Sequence, residues 1–272
     1  MSDSPHYTPS SESELERLQL QARCLEGLTR RLIRESGIRA GMRVLDLGSG
    51  PGDVAFLLSE AVGPSGSVVG VDREERSVDL ARRRAAEAGY GNVAFVVAGD
   101  DSLPADAPFD AAIGRFVLIH QRDPAAMIRR AAAVVRPGGV VAFLEPALHL
   151  DSHSLPEVEL VRAAAGSLKR FMLAALPSPD VAGRMIPCFM EAGLPEPKVL
   201  WESVVPGSTD DVWLRSFVLT YKTFLPLMQK FGTVDPGVGD PETLAERIRA
   251  DAFARRAQGV TGPFASAWAI KG

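Results

Sequence analysis

Cysteine is nearly missing from this 272-residue chain: Cys24 and Cys188 occur in no CxxC arrangement. A disulfide framework and a zinc knot are therefore without support, and reduced thiols are expected. An excess of positive charge is missing as well, the formal net charge being -4. That leaves no basic footprint for a nucleic-acid partner, and no NPPY-like segment for a flipped base occurs, so a small-molecule substrate is expected. No apolar run reaches about 18 residues, the length a membrane-spanning helix needs. The opening MSDSPHYTPSSESE has no charged n-region followed by an apolar h-region, which points to a cytoplasmic protein. What is present is a 46% hydrophobic content, enough for one large domain or one domain with an elaborated lid.

Residues 1 to 10 are polar and proline-bearing and read as an arm. From Ser11 to Glu35, helical spacing of Leu15, Leu18, Leu25, Leu28, Leu32 and Ile33 predicts an N-terminal helix with Ser11 or Ser13 as its cap. From Gly41 onward short Val-rich runs alternate with helical stretches: MRVLDL, a helix over Asp53 to Ala61, SVVGVD, a helix over Arg76 to Ala88, VAFVVAGD, FDAAIGRF, a helix over Pro124 to Val135, and GGVVAFLEP. This pattern predicts an α/β fold, a doubly wound and mostly parallel seven-stranded sheet of Rossmann-like type. Right-handed crossovers place the strand C-termini along one edge, and ligands bind outside that edge at the switch point.

After Pro146 helices are expected over Leu155 to Ala175 and Val181 to Gly193, followed by the strand KVLWESVV. Helices over Thr209 to Lys230 and Pro241 to Gln258 then precede the last strand, in PFASAWAIKG. If the two strands pair as a hairpin, the helices form a lid hung from its turn. The expected divisions are an arm and helix over 1–36, a ligand-binding core over 37–150, remaining core elements over 151–205, the lid over 206–260 and the last strand over 261–272.

VLDLGSGPGD, Val44 to Asp53, is the most informative stretch. Gly48, Gly50 and Gly52 follow a strand and precede a helix, where backbone approaches a ligand closely and helix N–H groups stand free. A dinucleotide fingerprint would need G-x-G-x-x-G, but from Gly48 the third glycine position holds Asp53. Asp46 and Asp53 would repel a pyrophosphate and favour a ligand with a cationic end. Asp72 closes the next strand about 20 residues on, where a carboxylate can accept both hydroxyls of a ribose. Asp100 or Asp101, in AGDDSLP, could meet the exocyclic amine of an adenine.

VLDLGSGPGD, VVGVDRE, AGDDSLP, FDAAIGRFVLIH and VVRPGGVVAFLEP together resemble the successive motifs of class I S-adenosylmethionine-dependent methyltransferases. The likeness is to small-molecule enzymes of the ubiquinone/menaquinone and natural-product type, and covers Met42 to Pro146 most fully. It implies S-adenosylmethionine as cofactor. The glycine turn with Asp46 and Ser49 would hold the methionine part and ribose, Asp46 lying near the ammonium. Asp72, with Arg73 beside it, would take the ribose diol, and Asp100 with Asp101 the adenine. Gln21 is expected either to close over the cofactor, as N-terminal helices do in similar enzymes, or to be an exposed helix residue.

Methyl transfer is an in-line displacement, so positioning and water exclusion supply much of the acceleration. A base helps where the acceptor is a phenol, hydroxyl or amine, and His120 in GRFVLIHQRDP is the candidate, packing under the cofactor being its alternative. Arg115 departs from the small or polar residue often found there; it could bind the cofactor carboxylate or pair internally with Asp46. Glu145, His149, Asp151 and His153 lie where the fifth strand meets the substrate side; solvated loop residues are the expected reading of H-x-D-x-H, and no metal is assigned. Trp213, Phe217, Tyr221, Phe224, Leu225, Met228 and Phe231 recur at helical intervals in the lid, as core, as a homodimer surface or as a wall for an apolar acceptor. The expected function is methylation, O-methylation first, of a small apolar, aromatic or polycyclic secondary metabolite. Its alternatives are a cyclase or isomerase that binds the same cofactor without transferring methyl, and a non-catalytic binding protein.

Overall fold

The computed structural model describes residues 12–99, 102–104, 108–207 and 210–272. Ser11, Asp100, Asp101 and Thr209, all named above, lie outside the described residues. Helix α1, Glu12–Glu35, leads into β1, Arg43–Leu47; α2, Asp53–Val62; β2, Ser67–Asp72; α3, Glu75–Ala88; and β3, Val93–Val97. The chain then crosses to β4, Phe109–Arg115, a single 3-10 turn over Leu118–His120, α4, Pro124–Val134, and β5, Val135–Pro146. Beyond it come β6, His153–Leu155; α5, Glu159–Ala175; α6, Met185–Glu191; β7, Lys198–Glu202; α7, Asp211–Lys230; α8, Leu244–Arg255; β8, Gln258–Val260; and β9, Phe264–Ile270.

The main sheet has seven strands in the order β3-β2-β1-β4-β5-β9-β7. The first five pair in parallel, and β9 runs against both β5 and β7. The topology reverses between β1 and β4: the chain winds outward to β3, returns, and winds the other way. At that point the ends of two neighbouring strands diverge and leave a crevice, which here falls beside Asp46 and Arg115. Strands covered on both faces read as continuous apolar runs, and Val44, Leu45, Ala111, Ala112, Val141, Ala142 and Phe143 are all sealed from solvent. Burying one such valine or leucine is worth roughly 1.5–3 kcal/mol.

One face packs under α4 and α6 and the other under α1, α2 and α3. A third, separate core joins α5, α7 and α8 through Ala164, Leu168, Phe171, Val218, Tyr221, Met228 and Leu244. The strand pair β7 and β9 is antiparallel, with α7 and α8 carried between its members.

The second half departs from the expected elements. A two-stranded sheet pairs His153–Leu155 with Gln258–Val260, where a helix had been expected from Leu155 and a helix end at Gln258. Proline at position 156 disfavours helical torsions in the residue before it, so Leu155 stays extended and α5 begins at Glu159. Arg256, at φ 52, ends α8 in the left-handed conformation and turns the chain toward β8. The expected helix over Val181 to Gly193 is a 3-10 turn at Val181–Arg184 followed by the short α6.

Candidate functional site

The turn after β1 is shaped by three glycines at positive φ: Gly48 at 63°, Gly50 at 49° and Gly52 at 93°. A Cβ on Gly48 would sit 2.9 Å from Cγ2 of Val117, and one on Gly52 would meet the rings of Phe56 and Phe95 at 2.9 Å. Gly50 differs, because a Cβ there would meet nothing within 4 Å. Two glycines therefore press the turn against the protein, while the middle one faces open space. The Ser49 N–H donates to the carbonyl of Val71, tying the turn to β2.

Asp72 lies across this turn. One carboxylate oxygen accepts the Gly50 N–H and the other the Glu74 N–H, both at 2.9 Å. An ionised carboxylate has about four lone-pair positions, so each oxygen keeps a free one. Asp53 is occupied differently: Arg84 pairs with it at 2.8 Å and also donates to the Pro51 carbonyl. Gly52 is the N-cap of α2 and Asp53 its first residue, so Asp53 serves the helix.

Asp46 is the anomaly. It is 1% exposed, and neither carboxylate oxygen has a hydrogen-bond partner; the Ser49 hydroxyl beside it is likewise buried and unpartnered. Burial pushes the Asp46 carboxyl up to about 8; Arg115 pulls it down, Asp72 and Asp53 push it further up, and the facing Ala55 N–H lowers it without completing a hydrogen bond. Arg115, at the end of β4, has its own pKa pressed down by burial and supported by Asp53 and Asp46. Its guanidinium does not bond the Asp46 carboxylate; it donates at 3.1 Å to the Thr29 hydroxyl of α1, which in turn donates to the Leu25 carbonyl. Thr29 was not singled out in the sequence, where it is one polar residue in an amphipathic helix. Gln21, earlier on that helix, is half-buried and makes no hydrogen bond to these residues among those described.

The chain leaves β4 through a tight turn. Phe116 has φ 59, an uncommon value for a non-glycine residue, and its ring stacks on Phe264 at 6.0 Å. Next come Val117, Leu118 and Ile119, whose N–H groups converge on the Glu145 carboxylate at the end of β5, at 2.8, 2.7 and 3.3 Å. Glu145 is sealed from solvent, and its pKa is pushed up to about 8 by burial, with the three N–H groups opposing. Its sequence signal was a lone acid closing an otherwise apolar strand. His120 ends the turn with its side chain open to solvent, and its pKa is lowered by the surrounding protein and by the nearby Arg73 cation.

The residues of the H-x-D-x-H stretch go separate ways. His149 packs edge-on against Trp201, Asp151 pairs with Lys169 at 2.6 Å, and His153 sits on β6. Among the described residues no group of three such ligands converges. The lid stripe divides too: Tyr221 and Met228 are buried against α5 and α8, whereas Trp213 packs on the sheet side with Phe116 and Phe264. Phe231 edges onto Phe171 while staying exposed.

A family described as a methyltransferase domain matches residues 38–173, half of the chain. The chain belongs to the class I S-adenosylmethionine-dependent methyltransferases. Among relatives, a ubiquinone/menaquinone biosynthesis C-methyltransferase, UbiE, of Hahella chejuensis is 39% identical over 115 residues, 42% of this chain and 46% of that one. A 37.1 kDa protein of transposon TN4556 from Streptomyces fradiae is 37% identical over 130 residues, covering 46% of this chain and 36% of its own. The chain thus spans less than half the length of these curated relatives. Its fold is shared with YcgJ of Bacillus subtilis, at TM-score 0.57 and 18% identity over 90% of this chain and 98% of that one. It is shared equally with the [4+2]-cyclase SpnF, at TM-score 0.56 and 21% identity over 92% and 82%.

The methyltransferase's own residues fit S-adenosylmethionine. The buried Asp46 carboxylate is short of partners and the cofactor carries an ammonium; Gly50 leaves the space that a side chain would fill; Asp72 retains acceptor capacity for a diol. No helix among the described residues is long and apolar enough to cross a membrane.

Proposed function

We propose that this methyltransferase methylates a hydroxyl of a small apolar or aromatic secondary metabolite. The observation that carries the reading is the unpartnered Asp46 carboxylate beside open Gly50, with the Phe116 ring stacked on Phe264 just past the end of β4. In this reading Asp46 holds the cofactor's ammonium, and the donors Arg115 does not spend on Thr29 take its carboxylate. Ser49 and the backbone of Gly48, Gly50 and Gly52 line the turn, Asp72 with Arg73 at its flank takes the ribose diol, and Asp100 with Asp101 takes the adenine. Gln21 closes over the cofactor from α1. The bound cofactor supplies an electrophilic methyl on a sulfonium.

His120 receives the acceptor's proton. Its lowered pKa keeps the imidazole neutral near pH 7 and so able to accept one. Residues 37–150 act as the cofactor-binding core between the arm and helix of 1–36 and the elements of 151–205, and 206–260 closes the acceptor space before the last strand in 261–272. A ring carbon beside a phenolate is nucleophilic as well as the oxygen, and the relatives named as C-methyltransferases favour carbon as the second reading.

The test is incubation with deuteromethyl-labelled S-adenosylmethionine and a panel of hydroxylated aromatics, followed by mass spectrometry and NMR of the product. Label on oxygen supports the proposal, and label on carbon replaces it with the second reading. A converted substrate without label would assign the fold to isomerisation or to cyclisation, the latter being the use named for SpnF. Absence of cofactor affinity would reduce the protein to a binding role.

A further inference from the structure

The turn between β4 and α4 is unusual in how fully its backbone is bonded. The Phe116 N–H donates to the Leu144 carbonyl at 2.9 Å, and the next three N–H groups all donate to Glu145. The His120 and Gln121 N–H groups then close back on Val117 and Leu118 at 3.2 and 3.0 Å. From the opposite side Ser178 donates its N–H to the Ile119 carbonyl at 3.2 Å and its hydroxyl to the Gln121 carbonyl at 2.7 Å. Successive N–H groups that converge this way form a concave anion site. Here the anion site is filled by a side chain of the protein itself, drawn from the neighbouring strand.

The consequence falls on the two flanking residues. Phe116 is held at a positive φ that a free chain would leave, which persists only where the surroundings over-determine it. Its ring is thereby set against Phe264, which directly pairs with Pro146 one residue beyond Glu145. At the other end of the same turn stands His120. One carboxylate thus fixes an aromatic wall and a base that are four residues apart.

We infer that Glu145 is a positioning residue of the acceptor site: by filling the nest of Val117, Leu118 and Ile119 it orients Phe116 and His120 without touching either ligand. The inference rests on the reading of the β4 edge as the acceptor side, but its geometry is testable without any acceptor. Glu145→Ala would strand three buried N–H groups and endanger the fold. Glu145→Gln keeps the shape and one acceptor oxygen, and places an amide NH2 where the second oxygen was.

In the full chain, amide exchange of residues 117–119 is compared between wild type and Glu145→Gln, together with NMR titration of His120, one of only four histidines. Affinity for S-adenosylhomocysteine is measured by calorimetry. The expected result is at least tenfold faster exchange at Ile119, whose N–H alone donates to the second oxygen, a His120 midpoint moved upward toward that of an ordinary imidazole, and S-adenosylhomocysteine affinity within twofold of wild type. The charged group beside His120 is Arg73, so a displaced imidazole escapes that cation. Faster exchange with an unmoved His120 midpoint would overturn the positioning role, as would unchanged exchange or an equal fall in cofactor affinity.

Should Glu145→Gln not fold, the same measurements on Ser178→Ala decide the matter, since this variant frees the Gln121 carbonyl and leaves Glu145 in place. Retained protection at 117–119 and an unmoved His120 support Glu145 as the clamp. Loss of both would give that role to Ser178. Failure of the methyltransferase reading itself would appear in the labelled-product experiment and leave these readouts unaffected.

Discussion

The two halves of the site, facing each other across the β1 and β4 strand ends, are finished to different degrees. In the cofactor cradle a buried carboxylate and a buried hydroxyl have no partner, and a glycine looks onto empty space. In the turn after β4 a buried carboxylate of similar character is fully engaged by three N–H groups. Burial raises both acids to about 8, so desolvation alone does not separate them. What separates them is where compensating donors come from: for Glu145 they are built in, and for Asp46 the proposed function has the ligand bring them. Unpaired buried polar groups cost stability in isolation, and they persist where binding makes use of them.

That contrast can be broken most strongly at Asp72. Its carboxylate braces the turn through Gly50 and, in the proposed function, accepts both ribose hydroxyls, so Asp72→Ala would remove the acceptor of two ligand hydrogen bonds. S-adenosylmethionine and S-adenosylhomocysteine should both bind about 100-fold more weakly, ~3 kcal/mol, since both carry the ribose. Unchanged affinity in a calorimetric titration would remove Asp72 from the site. Asp46→Asn should act in opposite directions on the two states. It should cut cofactor affinity roughly 30-fold, ~2 kcal/mol, by removing the partner of the ammonium, yet leave the ligand-free protein as stable or more so, because a strained acid is gone. Thermal melts with and without S-adenosylhomocysteine read both effects.

A separate effect, on the stability of the ligand-free protein, should be visible in the pH dependence of folding. The ordinary values of Asp46 and Glu145, 3.8 and 4.5, apply to the unfolded chain, whereas the native values are near 8. Between about pH 5 and 8 the native state keeps protons that the unfolded state has lost, so stability falls as pH rises. The slope is up to ~1.4 kcal/mol per pH unit for each acid, and it levels off above 8. Saturating S-adenosylhomocysteine should roughly halve the slope by ionising Asp46 and leaving Glu145 as it was. Melting temperatures from pH 5 to 9 in a single mixed buffer would show it.

The cradle was the legible half, and the reason is locality. Strand, glycine turn and helix follow one another within VLDLGSGPGD, and Asp72 recurs at the next strand end, so chemistry and spacing lie in one short read. The parallel sheet was legible for the same reason: each βαβ unit repeats a local pattern. The acceptor side was not. Glu145 and Val117 are far apart in sequence, and their bond exists only because β4 and β5 are neighbours. The pair β6 and β8 joins two three-residue segments about 100 residues apart, too short for any periodicity to register. Arg115 was expected to meet Asp46 or the cofactor, and its bond to Thr29 depends on where α1 docks, which an amphipathic stripe does not specify. Trp213, Phe217, Tyr221 and Phe224 fall on α7 and Phe231 just past its end, but only packing shows that Tyr221 and Met228 belong to a core of their own while Trp213 turns toward the sheet.

The central claim is that the buried Asp46 carboxyl waits, protonated, for the cationic end of the cofactor. Calorimetry of S-adenosylhomocysteine binding at pH 7, repeated in buffers of different ionisation enthalpy, counts the protons exchanged. Ionisation of Asp46 against the bound ammonium should release close to one proton, vanishing in Asp46→Asn, with affinity rising as pH increases toward 8. Binding with no proton release, or with the same release in Asp46→Asn, would contradict the account.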